Sequence, residues 1–363
     1  MKNFTVAGNV ESPFLSWLTA GMIQEFQTAG YQYDDEPANH INLVFNMIEP
    51  DRPRHFRRNS QSTFVVTVVE NDHIPEDVFK TAYPYLIRSL ANHLLFISHR
   101  DDRTELYFLT PEQGFYNITY QAADDESLFF KKIYERLEPL ASSQLVIDND
   151  FYEDLYGQLS NGNDVTKRLS LYGKELDKMD LLPAPFPIEE YLSPRDLRHL
   201  KKLYGIGGLS YGNLSSRENA NHFWMSASGI DKSNMKEIGR DILYITGYDD
   251  DNNAMKISIP PNTDPKRASV DAIEHWMIYR EHPEVGAIVH IHAWMDGVEA
   301  TPINYPCGTI ELAESVAERV HQAEDPSRAI VGLKNHGLTI TGTDLDDIFR
   351  RIEGRVIPQV PMG

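Results

Sequence analysis

The sequence predicts an α/β protein of two domains, a mixed α+β part over residues 1–180 and a second α/β part over residues 181–363. Three observations predict it. The chain has 363 residues, enough for two cores on the usual size of a domain. Short apolar runs typical of strands alternate with runs at helical spacing in both parts. Between the parts stands Leu-Leu-Pro-Ala-Pro-Phe-Pro (181–187), which cannot be helix interior because proline removes an amide donor and clashes with the preceding turn. The boundary is placed there.

In the first part, residues 41–48 and 62–70 are rich in β-branched or aromatic side chains and predict strands. The stretch 51–61 between them carries Arg52, Arg54, Arg57 and Arg58. It reads as a solvated loop; the alternative is contact with an anionic ligand or with the acidic neighbouring domain. Val78, Tyr83, Leu86, Leu90 and Leu94 recur at helical spacing and predict a helix within 76–97. Residues 105–110 predict a strand, and 126–140 a helix that stops at Pro139.

In the second part, Ser193-Pro194 opens a helix, with proline at its favoured first position. Strands at 242–246 and 255–259 flank Asp-Asp-Asp-Asn-Asn (249–253), which predicts a hairpin. A helix over 269–281 puts Ile273, Trp276, Met277 and Arg280 on one face, and Asp271, Glu274, His275 and Ile278 on another. Residues 285–291 predict a buried strand. Residues 309–322 predict a helix with Leu312, Val316 and Val320 on one side, and 337–342 a strand or turn. Thr343-x-x-Asp346 predicts the cap of a last helix.

The formal net charge of −20 repels nucleic acid and anionic membranes over most of the surface. It leaves an anionic small molecule open, because a metal ion and backbone N–H groups can reverse the field inside one pocket. No apolar run approaches the ~18 residues of a membrane helix. The N-terminus does not read as a signal peptide, since Lys2 is its only early cation and Glu11 interrupts the apolar residues. One cysteine, Cys307, excludes a disulfide framework within the chain and fits a cytoplasmic location. The thiol itself is expected to be a small buried side chain.

Four local patterns carry chemistry. On a strand, side chains i and i+2 share a face, so His290 and His292 lie side by side and form a natural pair of ligands for a divalent ion. The alternative is two histidines bonded to backbone at a strand end. Asn335-His336-Gly337 offers a third imidazole beside a glycine that lets the chain turn. Gly207-Gly208-Leu209-Ser210-Tyr211-Gly212-Asn213-Leu214-Ser215-Ser216-Arg217 and Ser226-Ala227-Ser228-Gly229-Ile230-Asp231-Lys232 are loops whose backbone N–H groups could hold an anion, the second adding a cation. Either loop alone reads more simply as a hairpin turn. Ser269-Val270-Asp271 reads as a helix cap, with Asp271 in the first turn.

Together these residues resemble the class II aldolase/adducin family. Gly212-Asn213-Leu214-Ser215-x-Arg217, Ser228-Gly229, Ser269-x-Asp271, His290-x-His292 and Asn335-His336-Gly337 occur in the family's order over about residues 191–350. The resemblance implies a three-layer αβα domain with a β-sheet core. It implies zinc, or another divalent ion, held by His290, His292 and His336. The family's acid lies nineteen positions before the first histidine, which is Asp271 here. Glutamate at that place is the proton-transferring base of the aldolases, and aspartate, as in ribulose-phosphate 4-epimerases, can also ligate the metal. Gly212, Asn213, Ser228, Gly229 and Ser269 match the pocket for the substrate's phosphate. The implied activity is a lyase or epimerase reaction on a small, anionic hydroxy-carbonyl compound, a sugar phosphate, through a metal-stabilised enediolate, in a homo-oligomer.

Three departures stand against a simple transfer. Val270 replaces the second of the family's two adjacent serines. The segment from His292 to Asn335 is short, so the epimerase's further aspartate has no clear counterpart; Asp296, Glu299 and Tyr305 are the nearest substitutes. The chain ends soon after its last helix, without the family's tail. These keep a metal-dependent dehydratase or decarboxylase open. A non-catalytic, adducin-like scaffold is the third reading, and the retained histidines argue against it. Residues 1–190 carry no motif that suggests a family.

Overall fold

The computed structural model describes residues 2–35, 41–100, 102–111, 114–179, 181, 188–198 and 212–363. The chain divides into two units: Met1–Ser143 with Phe186–Leu203 and Met362–Gly363, and Gln144–Pro185 with Tyr204–Pro361. The change of unit at 143/144 differs from the boundary expected near 181. The residues between those points belong to the second unit because a strand and an amphipathic helix there are built into its sheet and core. The proline run itself lies, but for Leu181, outside the described residues.

The first unit is built on a seven-stranded sheet in the order β2-β1-β3-β4-β5-β6-β7. Its strands are β1 Asn3–Ala7, β2 Gln32–Tyr33, β3 Leu43–Ile48, β4 Phe64–Asn71, β5 His93–Arg100, β6 Arg103–Leu109 and β7 Phe115–Gln121. Strands β2 to β5 run parallel and β6 and β7 antiparallel, so the sheet is more parallel than an α+β reading implies. Its helices are α1 Pro13–Thr28, α2 Val78–Arg88 and α3 Glu126–Ser142.

Two expectations in this unit are corrected. The helix expected through 76–97 ends at Arg88, and Leu94 belongs to strand β5. Leu90 adopts φ +52 and the Ala91 amide bonds back to Leu86, a left-handed stop after which His-Leu-Leu-Phe-Ile extends. Helix α3 runs past Pro139 to Ser142: the proline removes only the bond to the Glu135 carbonyl, one turn from the helix end. Of the arginines, Arg52, Arg54 and Arg57 are exposed, as a solvated loop requires, whereas Arg58 donates to Leu90 O and Asn92 Oδ1. Among the described residues no helix is long and apolar enough to cross a membrane.

The second unit has an eight-stranded sheet in the order β15-β16-β13-β9-β10-β11-β12-β8. The strands are β8 Asp148–Tyr152, β9 Gly212–Arg217, β10 Phe223–Ser226, β11 Ile242–Asp249, β12 Ala254–Ser258, β13 Ala287–Ile291, β15 Ile330–Leu333 and β16 Gly337–Gly342. A separate pair joins β14 Trp294–Met295 to β17 Val356–Ile357. All pairings in the large sheet are antiparallel except β12 with β8. The helix expected to open the second part starts at 194 but belongs to the first unit, and the β11–β12 hairpin closes on 250–253 as expected.

Helices cover both faces of this sheet, in the three layers that the resemblance implies. On one face lies α5 Ala272–Glu281, packed against α6 Ile310–Gln322. On the other lie α4 Asp164–Lys178 and α7 Leu345–Ile352, joined by the rings of Tyr172 and Phe349 at 4.7 Å. The cap of α7 is Asp344, which accepts from the Asp347 amide, one residue beyond the expected Thr343. The core is apolar side chains such as Leu214, Ile288, Ile291 and Ile340, all fully buried.

Candidate metal centre

Strand β13 sits between β9 and β16, and its end positions the site. His290 is opposite Asn213 on one side and Thr339 on the other. Side chains opposite one another on paired strands share a face, so these three stand in a row beneath α5. His292 follows the strand's last residue and returns to that face, as the period of two requires.

His336 arrives from the β15–β16 hairpin. Asn335 holds φ +58, and the His336 amide donates to Leu333 O, which makes the turn tight. Gly337 is needed because a Cβ there would meet Ile291 O at 2.1 Å. The close pass brings the hairpin against β13, and Lys334-Asn335-His336 then projects over the strand's end. Gly212 plays the matching part on the other side, where a Cβ would meet His290 O at 2.0 Å. It is a spacer that lets β9 lie against the His290 backbone.

The result is that His290, His292 and His336 each offer a ring nitrogen within 4.8 Å of the others. Nε2 of His336 is 3.2 Å from Nε2 of His290. Two nitrogens ~2.0–2.1 Å from a tetrahedral zinc lie about 3.4 Å apart, so the spacing suits a shared ion. Burial pushes His290 and His292 below the ordinary imidazole range, and His336 down to about 3. Three neutral imidazoles with facing nitrogens are the donor set of a borderline-soft divalent cation. His290 Nδ1 and His292 Nδ1 are buried, and neither has a hydrogen-bond partner of good geometry.

Asp271 lies beside the triad and is not one of the convergent set. It is the N-cap residue of α5 rather than a member of the first turn, and its side chain caps nothing. Its Oδ2 instead accepts from Asn213 Nδ2 at 2.6 Å and Ser269 Oγ at 3.0 Å, and its Oδ1 from Cys307 Sγ at 2.5 Å. Burial opposes ionisation there. The imidazole of His290, the Cys307 hydrogen bond and the imidazole of His336 outweigh it, and the carboxyl is held well below the usual range.

Ser228 and Gly229 lie on the turn after β10, with Gly229 at φ +65. The Ser228 amide donates to Arg267 O, which ties this turn to the segment leading to Ser269. Residues 207–211 lie outside the described residues. Lys232, at the end of the same turn, is 3% exposed; burial lowers it to about 8 against the pull of Asp177, Asp271 and Asp231. Arg217 does not face the triad. Its guanidinium stacks on Tyr279 and donates to the carbonyls of Val285, Tyr279, His282 and Ala220, which braces the end of α5.

Two residues at this site escaped the sequence reading. Cys307 is half-buried and bonded to Asp271 rather than packed away. Glu274 is 2% exposed and accepts from the Thr339 hydroxyl; burial, then the charge of Asp271, pushes it up to about 8. The helical period had already placed it on the face of Asp271, which was the available signal. Asp296 and Glu299, offered as substitutes for a missing acid, are exposed, and Glu299 pairs with Arg319 at 3.6 Å. Val270 fills a place where Gly308 comes within Cβ contact, which explains an apolar residue in the position of a second serine.

The family model described as Class II Aldolase and Adducin N-terminal domain matches residues 197–296. A methylthioribulose-1-phosphate dehydratase from Cronobacter sakazakii is 25% identical, over 39% of this chain and 82% of its own. An L-fuculose phosphate aldolase from Methanocaldococcus jannaschii is 26% identical, over 31% of this chain and 74% of its own. A solved L-fuculose 1-phosphate aldolase covers 54% of this chain and 84% of its own at 22% identity, with a TM-score of 0.38. Residues 197–296 match the class II aldolase and adducin family, consistent with a domain of that kind in the C-terminal half of the chain.

Proposed function

We propose that the second unit is a metal-dependent enzyme acting on a small sugar phosphate, with His290, His292 and His336 as ligands of a divalent cation, zinc fitting best. The convergence of three neutral imidazoles within 4.8 Å carries this reading. A cation bound there would polarise a carbonyl and a neighbouring hydroxyl oxygen of the substrate.

Asp271, held ionised beside the triad, takes a proton from the carbon or hydroxyl next to that carbonyl and returns it. Burial of His290 and His292 keeps bulk water from the reacting atoms. Ser228, Gly229 and Lys232 stand on the turn tied through the Ser228 amide to Arg267, two residues before Ser269, and the Ser228 hydroxyl and the Lys232 cation would meet the anionic end of the substrate. The same parts serve carbon–carbon cleavage, epimerisation or loss of a β-hydroxyl as water. Relatives named as a dehydratase and as an aldolase favour the two elimination-type outcomes over epimerisation.

The test is metal content by mass spectrometry, followed by incubation with a panel of ketose phosphates in D₂O read by proton NMR. Near-stoichiometric metal that falls at least tenfold in His290→Ala, with exchange or loss of the proton next to the carbonyl in one substrate, is expected. Equal, negligible metal in both proteins removes the reading.

A further inference from the structure

The carboxylate of Asp271 receives three donors: the Asn213 amide, the Ser269 hydroxyl and the Cys307 thiol. An ionised carboxylate only accepts, so the Asn213 amide must turn its NH₂ toward Asp271. The same NH₂ lies 3.1 Å from Ser269 Oγ. Its Oδ1, on a side chain 3% exposed, is left buried with no hydrogen-bond partner. Asn213 therefore presents an acceptor and not a donor to anything that enters. The two side chains matched to an anion pocket are occupied by the protein's own acid.

Cys307 reaches Asp271 from a turn that is itself held in place. Thr309 Oγ1 donates to Pro306 O at 2.7 Å, and the Val146 amide donates to Gly308 O at 2.9 Å. Gly308, at φ +78, seats against the Val270 side chain, one residue from Asp271. The apolar residue in place of a second serine is thus what docks the cysteine turn beside the acid.

We propose that Cys307 is a positioning residue: its thiol, together with Asn213 and Ser269, clamps Asp271 in the orientation in which it transfers protons. This rests on the reading of Asp271 as the base.

The chain has a single cysteine, so a neutral alkylating reagent reports on this thiol alone. Iodoacetamide forms the S–C bond as iodide leaves, and it reacts with the thiolate. A thiolate 2.5 Å from a carboxylate is disfavoured, so alkylation of the full chain at pH 8 should be slow. Asp271→Asn should speed it about tenfold. Equal rates in the two proteins overturn the proposal. If Asp271→Asn loses its fold by circular dichroism, the second arm decides. Cys307→Ala should lower the proton-exchange kcat about tenfold with KM unchanged, because the carboxylate loses a donor that fixes its orientation, and Cys307→Ser should restore it. An unchanged kcat in Cys307→Ala sinks the positioning role. The alkylation arm needs no turnover: a thiol that responds to Asp271 in a protein that exchanges no substrate proton would refute the function and keep the clamp.

Discussion

Nε2 of His290 and Nε2 of His336 face each other at 3.2 Å, although the residues come from separate stretches of the sheet. Their rings are nearly parallel, with centroids 5.1 Å apart and an interplanar angle of 9°. Two neutral imidazoles in this attitude need one proton, or one cation, between them. The third ring, of His292, stands at 4.7 Å from His336 and nearly perpendicular to it, so it closes the set from a different direction.

Removal of metal should make the protein acid-sensitive. His290, His292, His336 and His275 are all depressed by burial, His275 to about 3. The unfolded chain takes up their protons near the ordinary imidazole value while the fold refuses them. Their contribution is therefore present above about pH 6.5 and is lost as pH falls toward the folded values. Each costs about 1.4 kcal/mol per pH unit in that window. Calorimetry of chelated protein should show the melting temperature falling steeply from pH 6.5 to 4.5, with a constant melting temperature counting against neutral buried rings.

Asp271→Asn should keep its metal and lose proton transfer. The three histidines form the convergent set without it, and the amide is close in shape. A loss of about 10²–10⁴-fold in exchange rate is expected for a removed general base. Metal content by mass spectrometry separates the two effects; loss of the ion in this variant would make Asp271 a ligand.

Glu274→Gln should stabilise the protein more at pH 8 than at pH 6. The carboxyl is raised to about 8 in the fold, so its neutral form is favoured there, and its contribution is lost as pH rises from the unfolded value through 8. Buried in full, it costs on the order of 2 kcal/mol more at pH 8 than at pH 6. Paired thermal melts at the two pH values check this, and a pH-independent difference would place the proton elsewhere.

Gly337→Ala should destabilise by about 2–4 kcal/mol and weaken metal retention together. The added Cβ would meet Ile291 O at 2.1 Å, so the hairpin carrying His336 must lift from β13. Denaturant titration and metal analysis on one sample read both; a stable variant that drops its metal would locate the strain in the turn alone.

The triad was readable in the sequence because each part has a local cause. A strand's period of two pairs His290 with His292, and the glycine after His336 marks a backbone that must pass close to another. Asp271 was readable by its place in a family pattern. Its partners were not all so: Cys307 is 36 residues away, and only the packing of Gly308 on Val270 brings them together. The helical period put Glu274 on the inward face, but nothing local says that a carboxyl there is buried against Thr339. Strand β8 was missed for a similar reason. Asp-Asn-Asp-Phe-Tyr has weak strand character, and its pairing with β12 joins residues 106 apart, as Asp148 with Ala254.

The second unit draws its edge strand and α4 from residues 144–185, while the first takes back Phe186–Leu203 and the final two residues. Neither body is an unbroken length of polypeptide. A protease that nicks one linker cannot release either of them, and no single cut in the gene yields the whole of one body without a piece of the other. On the ribosome, the half with the imidazoles already owns its outermost strand before the last helical piece of its neighbour has been made.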